Sequence, residues 1–544
     1  MTFTALTKDQ RNLLARAVTK ARTEAEAGAT AALIALAVDH HEPFKHMDES
    51  ARKLRNSLRA HGRQLGDALD AKRGTQEIVR LAHEVAFEHW HRMLFARFLA
   101  ENDLLIHPDA GVAVSIDDCV DLAREQGKSP WELAASFAKT SLPAIFRKDD
   151  PALMVTLPLE RRTTIEKLVT DLPPETFTGS DALGWVYQFW QAEKKDEVNA
   201  AGNKIGADEL PSVTQLFTED YMVDFLLDNT LGAWHAGKVF AANPKLAENA
   251  QSEDELRQAV ALPGCAWKYL RFIKGKDGKW TPAAGAFDGW PKSAAAIRVL
   301  DPCMGSGHFV VALFERLVAL RLAEEELDEA AAVAAVIRDN LFGLEIDPRC
   351  TQIGAFNLAL AAWRRVGHCK LPAMNLACSG LAPNTREADW LAIAGDNQKL
   401  QRGMERLYRL FKKAAVLGSL INPSRDCGEG DLLYAAFHEL QPLLEKALAQ
   451  ETQDAKKADL SAEALAKTWQ LALSKEVLPS AQRVEQRHWS HHRTGSRNRD
   501  TRTYVNAHSV QLFLIGAFVL ENTPSRVPKP PVRLSLSFHS LGRR

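Results

Sequence analysis

The chain has 544 residues, of which 46% are hydrophobic and 25% are charged. This length exceeds what one hydrophobic core normally organises, and the composition argues against the disordered, collagenous and membrane classes. The apolar run 511–520 is too short to span a bilayer, and the first residues lack a signal-peptide pattern. Seven cysteines, an odd number spread along the chain, fit reduced thiols. These features predict a cytoplasmic protein with no membrane partner.

The formal net charge of −1 conceals an asymmetry between a basic tail and an acidic body. Residues 481–544 contain eleven Lys and Arg against three Asp and Glu, whereas the rest of the chain is acidic. A basic tail is typical of nucleic-acid contact, and it is equally typical of a solvated, poorly folded end. Charge alone leaves both interpretations open.

Helical patterns fill the first part of the chain. Apolar residues recur every three or four positions through residues 1–205, which predicts a helical N-terminal domain. The stretch 84–100 is the densest apolar helix and is predicted to lie in the core. His89 and His91 are predicted to be structural, because neither has a ligand partner four positions on. The polar segment 197–211 is predicted to be a linker.

From Ile297 onward, short apolar segments alternate with helical ones, a pattern that predicts a parallel sheet. Helical, charge-rich sequence returns over 398–478. We therefore predict a domain over 206–480 that includes a helical insertion. Residues 481–544 are predicted to form a basic, irregular tail.

The segment 297–322 carries the first functional pattern. Its predicted strand, 297–300, runs into Asp301-Pro302-Cys303-Met304-Gly305-Ser306-Gly307-His308-Phe309, and a helix follows. Strand, glycine turn and helix form the first half of a βαβ nucleotide-binding unit, in which Gly305 and Gly307 let the backbone approach a ligand. The loop lacks both the third glycine of dinucleotide sites and the Lys-Ser/Thr of ATP sites. Asp301 can accept hydrogen bonds from an ammonium group.

A second predicted strand, 341–348, carries Glu345 near its end, 44 positions after Asp301. An acidic residue at the end of the second strand binds ribose hydroxyls, usually about 20 residues after the loop. A helix over 324–338 explains the longer spacing. Two strand-end acids around a glycine loop predict S-adenosylmethionine, which has an amino-acid end and a ribose but no phosphate.

At these residues the sequence resembles N6-adenine DNA methyltransferases. Segments 301–309 and 343–348 look like their motifs I and II, and 214–223 looks like motif X, which precedes motif I in the γ-type order. The resemblance implies an α/β, Rossmann-like class I methyltransferase domain. It implies that Thr218 contacts the methionine end of the cofactor and that Ile346 packs on the cofactor's adenine. Thr218 is also a plausible helix N-cap. The cofactor-binding residues that it implies are Thr218, Asp301, Pro302, Gly305, Gly307, Phe309, Glu345 and Ile346.

Segments ahead of motif X narrow the resemblance. Residues 183–190 with 193–198 resemble the corresponding part of PglX-like methylases of BREX type and their DISARM relatives, and 90–99 and 229–232 extend the match. The resemblance implies methyl transfer from S-adenosylmethionine to adenine N6 in double-stranded DNA. It also implies a phage-defence or restriction-modification role, with other defence proteins as partners. Taken alone, Trp185, Tyr187 and Trp190 are predicted to be packing residues.

The catalytic motif of that family, (Asn/Asp/Ser)-Pro-Pro-(Tyr/Phe), has no clean copy here. Asn522-Thr523-Pro524-Ser525 follows an apolar run but has Ser525 where the stacking aromatic belongs, so Asn522 and Pro524 are the nearest catalytic candidates. Asn422-Pro423-Ser424 also lacks the aromatic, and Cys378-Ser379-Gly380 lacks the acid expected in motif III. We therefore expect a truncated chain, with a tail read in another frame.

Three functions remain open from the sequence. The first is an adenine-specific DNA methyltransferase, and the second is a catalytically incomplete cofactor-binding or DNA-binding subunit. The third is an RNA or small-molecule methyltransferase, because the motif I fold serves many substrates. No metal is expected, since His488, His491 and His492 lack a second pair of ligands at fixed spacing.

Overall fold

The computed structural model describes residues 5–70, 72–142, 145–146, 150–201, 218–380, 383, 386–418, 421, 423, 439–444 and 446–447. Within these residues the protein is a helix-rich α/β structure with one two-stranded sheet and one three-stranded sheet. No helix in this part of the chain has the length and hydropathy needed to cross a membrane.

Besides one short 3₁₀ helix, Pro151–Met154, eight α-helices occupy the described residues up to position 201, where the sequence pattern predicts helices. They are α1 (Lys8–Ala35), α2 (Glu49–Leu65), α3 (Val79–Glu101), α4 (Ile116–Gln126), α5 (Pro130–Ser141), α6 (Leu159–Thr170), α7 (Glu175–Thr178) and α8 (Ala182–Ala201). Local sequence sets several of the ends: Thr7 caps α1 in a capping box with Gln10, and left-handed Gly127 ends α4. The linker predicted from Glu197 is wrong in its first residues, because α8 continues to Ala201; residues 202–211 lie outside the described residues.

Helix α3 lies in the hydrophobic core, as predicted for the stretch 84–100. It is buried on most of its circumference and packs against α1, and the ring of Trp90 stacks on Trp190 of α8 at 4.8 Å. His91 stacks on Phe87 and contacts its carbonyl oxygen at 2.8 Å, and burial lowers the pKa of His89 to about 4. Among the described residues, no three His, Cys, Asp or Glu side chains are placed to hold a metal ion.

Short helices and a hairpin lead to the parallel sheet. The helices are α9 (Asp220–Leu227), α10 (Ala233–Ala242), α11 (Pro244–Asn249) and α12 (Glu253–Ala259), with a π-helical turn, Asp228–Gly232, between the first two. Strands β1 (Phe272–Lys274) and β2 (Trp280–Pro282) pair antiparallel. The N-cap of α9 is Glu219, so the predicted capping role of Thr218 is wrong: the helix begins one residue too late for it.

The predicted parallel sheet is present and has the order β3-β4-β5. Its strands are β3 (Val299–Asp301), β4 (Leu341–Glu345) and β5 (Asn375–Cys378), and the helices that follow are α13 (His308–Glu324), α14 (Glu329–Ala335) and α15 (Pro348–Val366). Asp301 pairs with Gly343, and Glu345 pairs with Cys378, so both acids lie at the carboxyl edge of the sheet. Strand β3 starts two residues later than predicted. Helix α14 and the π-helical turn Val336–Asn340 explain the long spacing between the acids.

After the sheet come α16 (Glu387–Ala392), α17 (Gln398–Phe411) and α18 (Ala414–Leu417). Trp390, Met404 and Leu407 form the centre of a small second core there. The helical sequence predicted from Gln398 is confirmed at its start, and residues beyond 447 lie outside the described part of the chain.

The N-terminal helices and the parallel sheet share one hydrophobic core. Phe95 of α3 stacks on Phe356 of α15, with ring centroids 4.1 Å apart. Beside this pair, the Arg364 guanidinium donates to the side-chain oxygen of Asn102 at 3.0 Å. The helical layer therefore packs directly on the helix that follows Glu345.

Candidate functional site at the carboxyl edge of the parallel sheet

The loop between β3 and α13 folds tightly because two of its residues are glycines with positive φ. Gly305 has φ +54° and Gly307 has φ +79°, in the left-handed region that other residues rarely adopt. A Cβ at Gly307 would also lie 2.9 Å from Cα of Gly354 on α15. Gly307 is therefore needed for helix packing, in addition to the predicted approach of a ligand.

Asp301 sits at the base of this loop and is fully buried. Its Oδ1 accepts a hydrogen bond from the backbone N–H of Cys303 at 3.1 Å, which turns the chain away from the strand. Pro302 is buried, whereas Cys303 is exposed. Phe309 is 4% exposed and belongs to the core under α13, so its ring supports the loop from inside.

Glu345 joins the two strand-end loops. Its Oε2 accepts from the N–H of Gly305 at 2.8 Å, and its Oε1 accepts from Ile346 at 2.8 Å and from Asp347 at 3.1 Å. The side chain is only 5% exposed, and burial raises its pKa to about 7, although the three N–H donors oppose that shift. The structure therefore places Glu345 within hydrogen-bond distance of Gly305, as expected for residues that follow neighbouring strands.

Ile346 continues this site toward the end of β5. Its side chain is half-buried, and a Cβ at Gly418 would lie 3.2 Å from its Cδ1. A Cβ at Gly380 would overlap the carbonyl of Ile346. The N–H of Ser379 donates to the carbonyl of Glu345 at 2.7 Å. The segment 378–380 thus lies beside Glu345, and it supplies a hydroxyl and backbone groups instead of a carboxylate.

The segment that contains Thr218 lies next to the glycine loop. Thr218 is half-buried and immediately precedes α9. Asp220 at the start of α9 contacts His308, with Oδ1 and Nε2 3.0 Å apart, and Asp224 pairs with Arg316 at 2.7 Å. Three separate sequence segments therefore converge here. The catalytic candidates Asn522 and Pro524 lie outside the described residues.

A buried polar cluster behind Glu345 escaped the sequence analysis. Asp347 is 2% exposed and accepts from the hydroxyl of Tyr187, while Arg349 donates to both of its oxygens at 2.9 Å. Burial alone would raise the pKa of Asp347, but the charge and hydrogen bonds of Arg349 hold it below its usual value. The Asp-Pro-Arg run after β4 is a local signal for part of this cluster, because it indicates that Asp347 caps α15. No local pattern in the sequence indicates that Tyr187, 160 residues earlier, is a partner of Asp347.

Comparison with known proteins identifies relatives over part of the chain. No protein-family model matches it. The chain is 29% identical over 226 residues to the adenine-specific methyltransferase BrxX of Escherichia coli O9:H4 (strain HS). The matched residues make up 41% of this chain and 17% of that protein. It is also 28% identical over 225 residues to the adenine-specific methyltransferase PglX of Lacticaseibacillus casei (strain Zhang). This match covers 40% of this chain and 17% of that protein.

The matched segment is thus about a sixth of the length of either relative. The similarity agrees with the resemblance that motifs X, I and II indicated. Over about two fifths of its length, this chain is a homologue of the adenine-specific methyltransferases BrxX and PglX.

Proposed function

We propose that this chain binds S-adenosylmethionine and belongs to an adenine-specific DNA methyltransferase that methylates adenine N6. The observation that carries the proposal is the hydrogen bond from Gly305 to Glu345, because it joins both strand-end loops in one site. Its relatives are named adenine-specific methyltransferases, which supports the same reaction class. In this proposal the parallel sheet is the start of a Rossmann-like class I domain, which binds ligands at the carboxyl ends of its strands.

The chemistry of the donor set fits S-adenosylmethionine. A carboxylate offers about four acceptor positions, of which Glu345 uses three, so one remains for a ribose hydroxyl. Asp301, with one oxygen on Cys303, would accept from the ammonium group. Ile346 offers an aliphatic surface to the adenine. The proposed binding residues are Thr218, Asp301, Pro302, Gly305, Gly307, Phe309, Glu345 and Ile346.

When bound, the cofactor supplies a methyl group on a sulfonium, which needs no metal and no covalent enzyme intermediate. The work of the chain's own residues is then positioning, which lowers the barrier by holding the reactants in line. Glu345 and Asp301 would hold opposite ends of the cofactor. The target adenine must leave the DNA stack at a cost of about a few kcal/mol, and this requires a loop that holds the flipped base.

The second candidate function is a cofactor-binding or DNA-binding subunit without turnover. The observation that favours it is the missing aromatic in Asn522-Thr523-Pro524-Ser525. In either case we propose a helical N-terminal domain over 1–205, a cofactor domain over 206–480 and a basic tail over 481–544. The proposed partners are double-stranded DNA and other proteins of a phage-defence or restriction-modification system.

Titration calorimetry with S-adenosylmethionine, paired with a tritiated-methyl assay on DNA, tests the proposal. We expect binding by the wild type, and a loss of about tenfold or more in Asp301→Asn because a charged acceptor is removed. Asp277→Asn, on the exposed β1–β2 hairpin, is the control and should bind normally. A wild type that ignores the cofactor contradicts the proposal. Binding without transfer favours the second candidate, whereas transfer abolished by Asn522→Ala identifies the catalytic loop.

A further inference from the structure

We propose that Tyr187 of helix α8 is a positioning residue for Glu345, the carboxylate that would bind the cofactor ribose. The N-terminal helical layer would then set cofactor affinity. This inference rests on the proposed function, because Glu345 matters to binding only if the cofactor sits there. Tyr187 would touch neither cofactor nor DNA. It would act through Asp347, two residues after Glu345.

The first step is the contact between α8 and the loop after β4. The Tyr187 hydroxyl donates to Oδ2 of Asp347, and Nε2 of Gln191, one turn along α8, donates to the same hydroxyl at 2.7 Å. Arg349 closes the other side of Asp347 through two bonds of 2.9 Å. Asp347 is thus fixed from two directions, and one of them comes from a helix 160 residues away in sequence.

The second step leads from Asp347 to Glu345 through the backbone. The N–H groups of Ile346 and Asp347 both donate to Oε1 of Glu345. These donors belong to the peptide units on either side of Ile346, so their direction depends on where the Asp347 side chain is held. A rigid Asp347 therefore orients the Glu345 carboxylate before any ligand arrives, which reduces the cost of binding.

The surroundings make this link stiff. Tyr187, Gln191, Asp347 and Glu345 are all buried. Burial first, and then the charge of Asp347, raises the pKa of Tyr187 well above its ordinary value, so the phenol remains a donor at any working pH. Among the described residues, the ionisable groups that interact with the two carboxylates include Arg349, Tyr187 and Cys350, and Glu84 of α3 interacts in turn with Arg349.

Tyr187→Phe removes the hydroxyl and keeps the ring that packs on Phe87. Asp347 then loses one of its two anchors, and the N–H donors on Glu345 move more freely. Because those donors favour the ionised carboxylate, their loosening raises the pKa of Glu345 further. Less of the acceptor form remains near neutral pH. A variant that merely lowers global stability would leave this pKa unchanged.

The test measures S-adenosylmethionine affinity against pH in the full chain. We expect wild-type affinity to rise as the pH increases through about 7, the midpoint of Glu345. In Tyr187→Phe, affinity near neutral pH should fall about tenfold, and the midpoint should move upward. Trp185→Phe is the matched control: it deletes the indole N–H bond to Asp181, the residue before α8, and leaves the Tyr187 hydroxyl and Asp347 in place. Its midpoint should not move.

An infrared titration without cofactor separates failure of the inference from failure of the proposed function. The carboxyl band that disappears in Glu345→Gln reports the ionisation of Glu345 directly. We expect its midpoint to move upward in Tyr187→Phe and to stay in Trp185→Phe. An unchanged midpoint in Tyr187→Phe overturns the inference, even if the wild type binds the cofactor. A shifted midpoint in a chain that ignores the cofactor supports the link and overturns the proposed function alone.

Discussion

Glu345 is held by two opposing effects at the scale of one residue. Burial disfavours its charge, whereas three backbone N–H groups favour it. The net result is a pKa raised from 4.5 to about 7, which leaves the group close to half-ionised at neutral pH. A carboxyl group tuned to this range is more typical of a binding or catalytic site than of a structural ion pair.

This pKa predicts how stability without ligand depends on pH. Because folding raises the pKa, Glu345 stabilises the folded state below pH 4.5, and that contribution is lost as the pH rises through about 7. Glu345→Gln should lose this decline, as followed by the melting temperature between about pH 4 and 8. Glu160→Gln, an exposed change in the first turn of α6, is the control. Parallel curves for Glu345→Gln and wild type would contradict the assignment.

Gly307 supports a second prediction at residue scale. Gly307→Ala forces a side chain into a left-handed position with φ +79° and places its Cβ 2.9 Å from Cα of Gly354. We expect a loss of about 1–3 kcal/mol in the free energy of unfolding, measured with urea. Gly127→Ala is the matched control: it has the same kind of strain at φ +62° but nothing within 4 Å of the added Cβ, so it should lose less stability than Gly307→Ala. Equal losses would show that backbone strain alone matters at Gly307.

Single residues of the site were predictable where their signal is local. The succession of strand, turn and helix in the sequence singles out Asp301, Gly305 and Glu345 as candidates, because parallel strands bring their ends together. Asp347 and Tyr187 were not connected, since no local pattern predicts a hydrogen bond between positions 160 residues apart. The sequence pattern predicts only packing for Tyr187, whereas in the structure its ring is buried and its hydroxyl also donates to Asp347.

At the scale of elements, carboxylates of α9 and of the turn after it contact His308 and Arg316 of α13. Asp220, Asp224 and Asp228 follow each other at intervals of four, one turn apart, and face His308 and Arg316, which are eight apart. Asp228 is 1% exposed and also accepts from the N–H of Tyr269 at 2.9 Å. This row of pairs holds the Thr218 segment against the glycine loop.

Arg316 is the residue on which this attachment depends. Arg316→Met leaves Asp228 buried without its counter-charge, and such a loss typically costs about 3–5 kcal/mol. We expect this decrease in the free energy of unfolding by urea titration. Arg338→Met removes an exposed pair with Asp339 and should cost about 1 kcal/mol or less. Similar costs for the two variants would mean that α9 is held by apolar contacts instead.

Element types were predicted better than element ends. The helix over 84–100 follows from apolar periodicity, which extends over many residues, whereas the strand predicted over 297–300 only overlaps β3, Val299–Asp301. Thr218 was expected to cap α9, but Glu219 occupies that position. A one-residue shift of this kind is decided by how α9 docks on α13 through Asp220 and Asp224, and docking leaves no trace in the local sequence.

At the scale of the whole molecule, the shared core makes the helical layer part of the site. Phe95→Ala removes the ring that stacks on Phe356 and should lower the free energy of unfolding by about 3–5 kcal/mol. Because α3 packs on α15, tryptophan fluorescence and far-ultraviolet circular dichroism should report one common transition. Leu159→Ala, at a side chain 68% exposed, is the control and should change little. Two separate transitions in Phe95→Ala would contradict a shared core.

The composition could not predict this arrangement. A helical part and a sheet-forming part, joined by a polar segment, could fold around two separate cores or around one shared core. The stacking of Phe95 on Phe356 and the bond from Arg364 to Asn102 are contacts between distant segments. Sequence patterns indicate which faces are apolar, but they do not say which apolar faces meet.

The buried state of Glu345 has a thermodynamic consequence for ligand uptake. A carboxyl group half-protonated at neutral pH must release its proton to accept a ribose hydroxyl as a carboxylate. Association would then be accompanied by fractional proton release to the solvent. The apparent binding enthalpy would therefore differ between buffers of unequal ionisation enthalpy, and the slope of that dependence would count the protons exported per molecule bound.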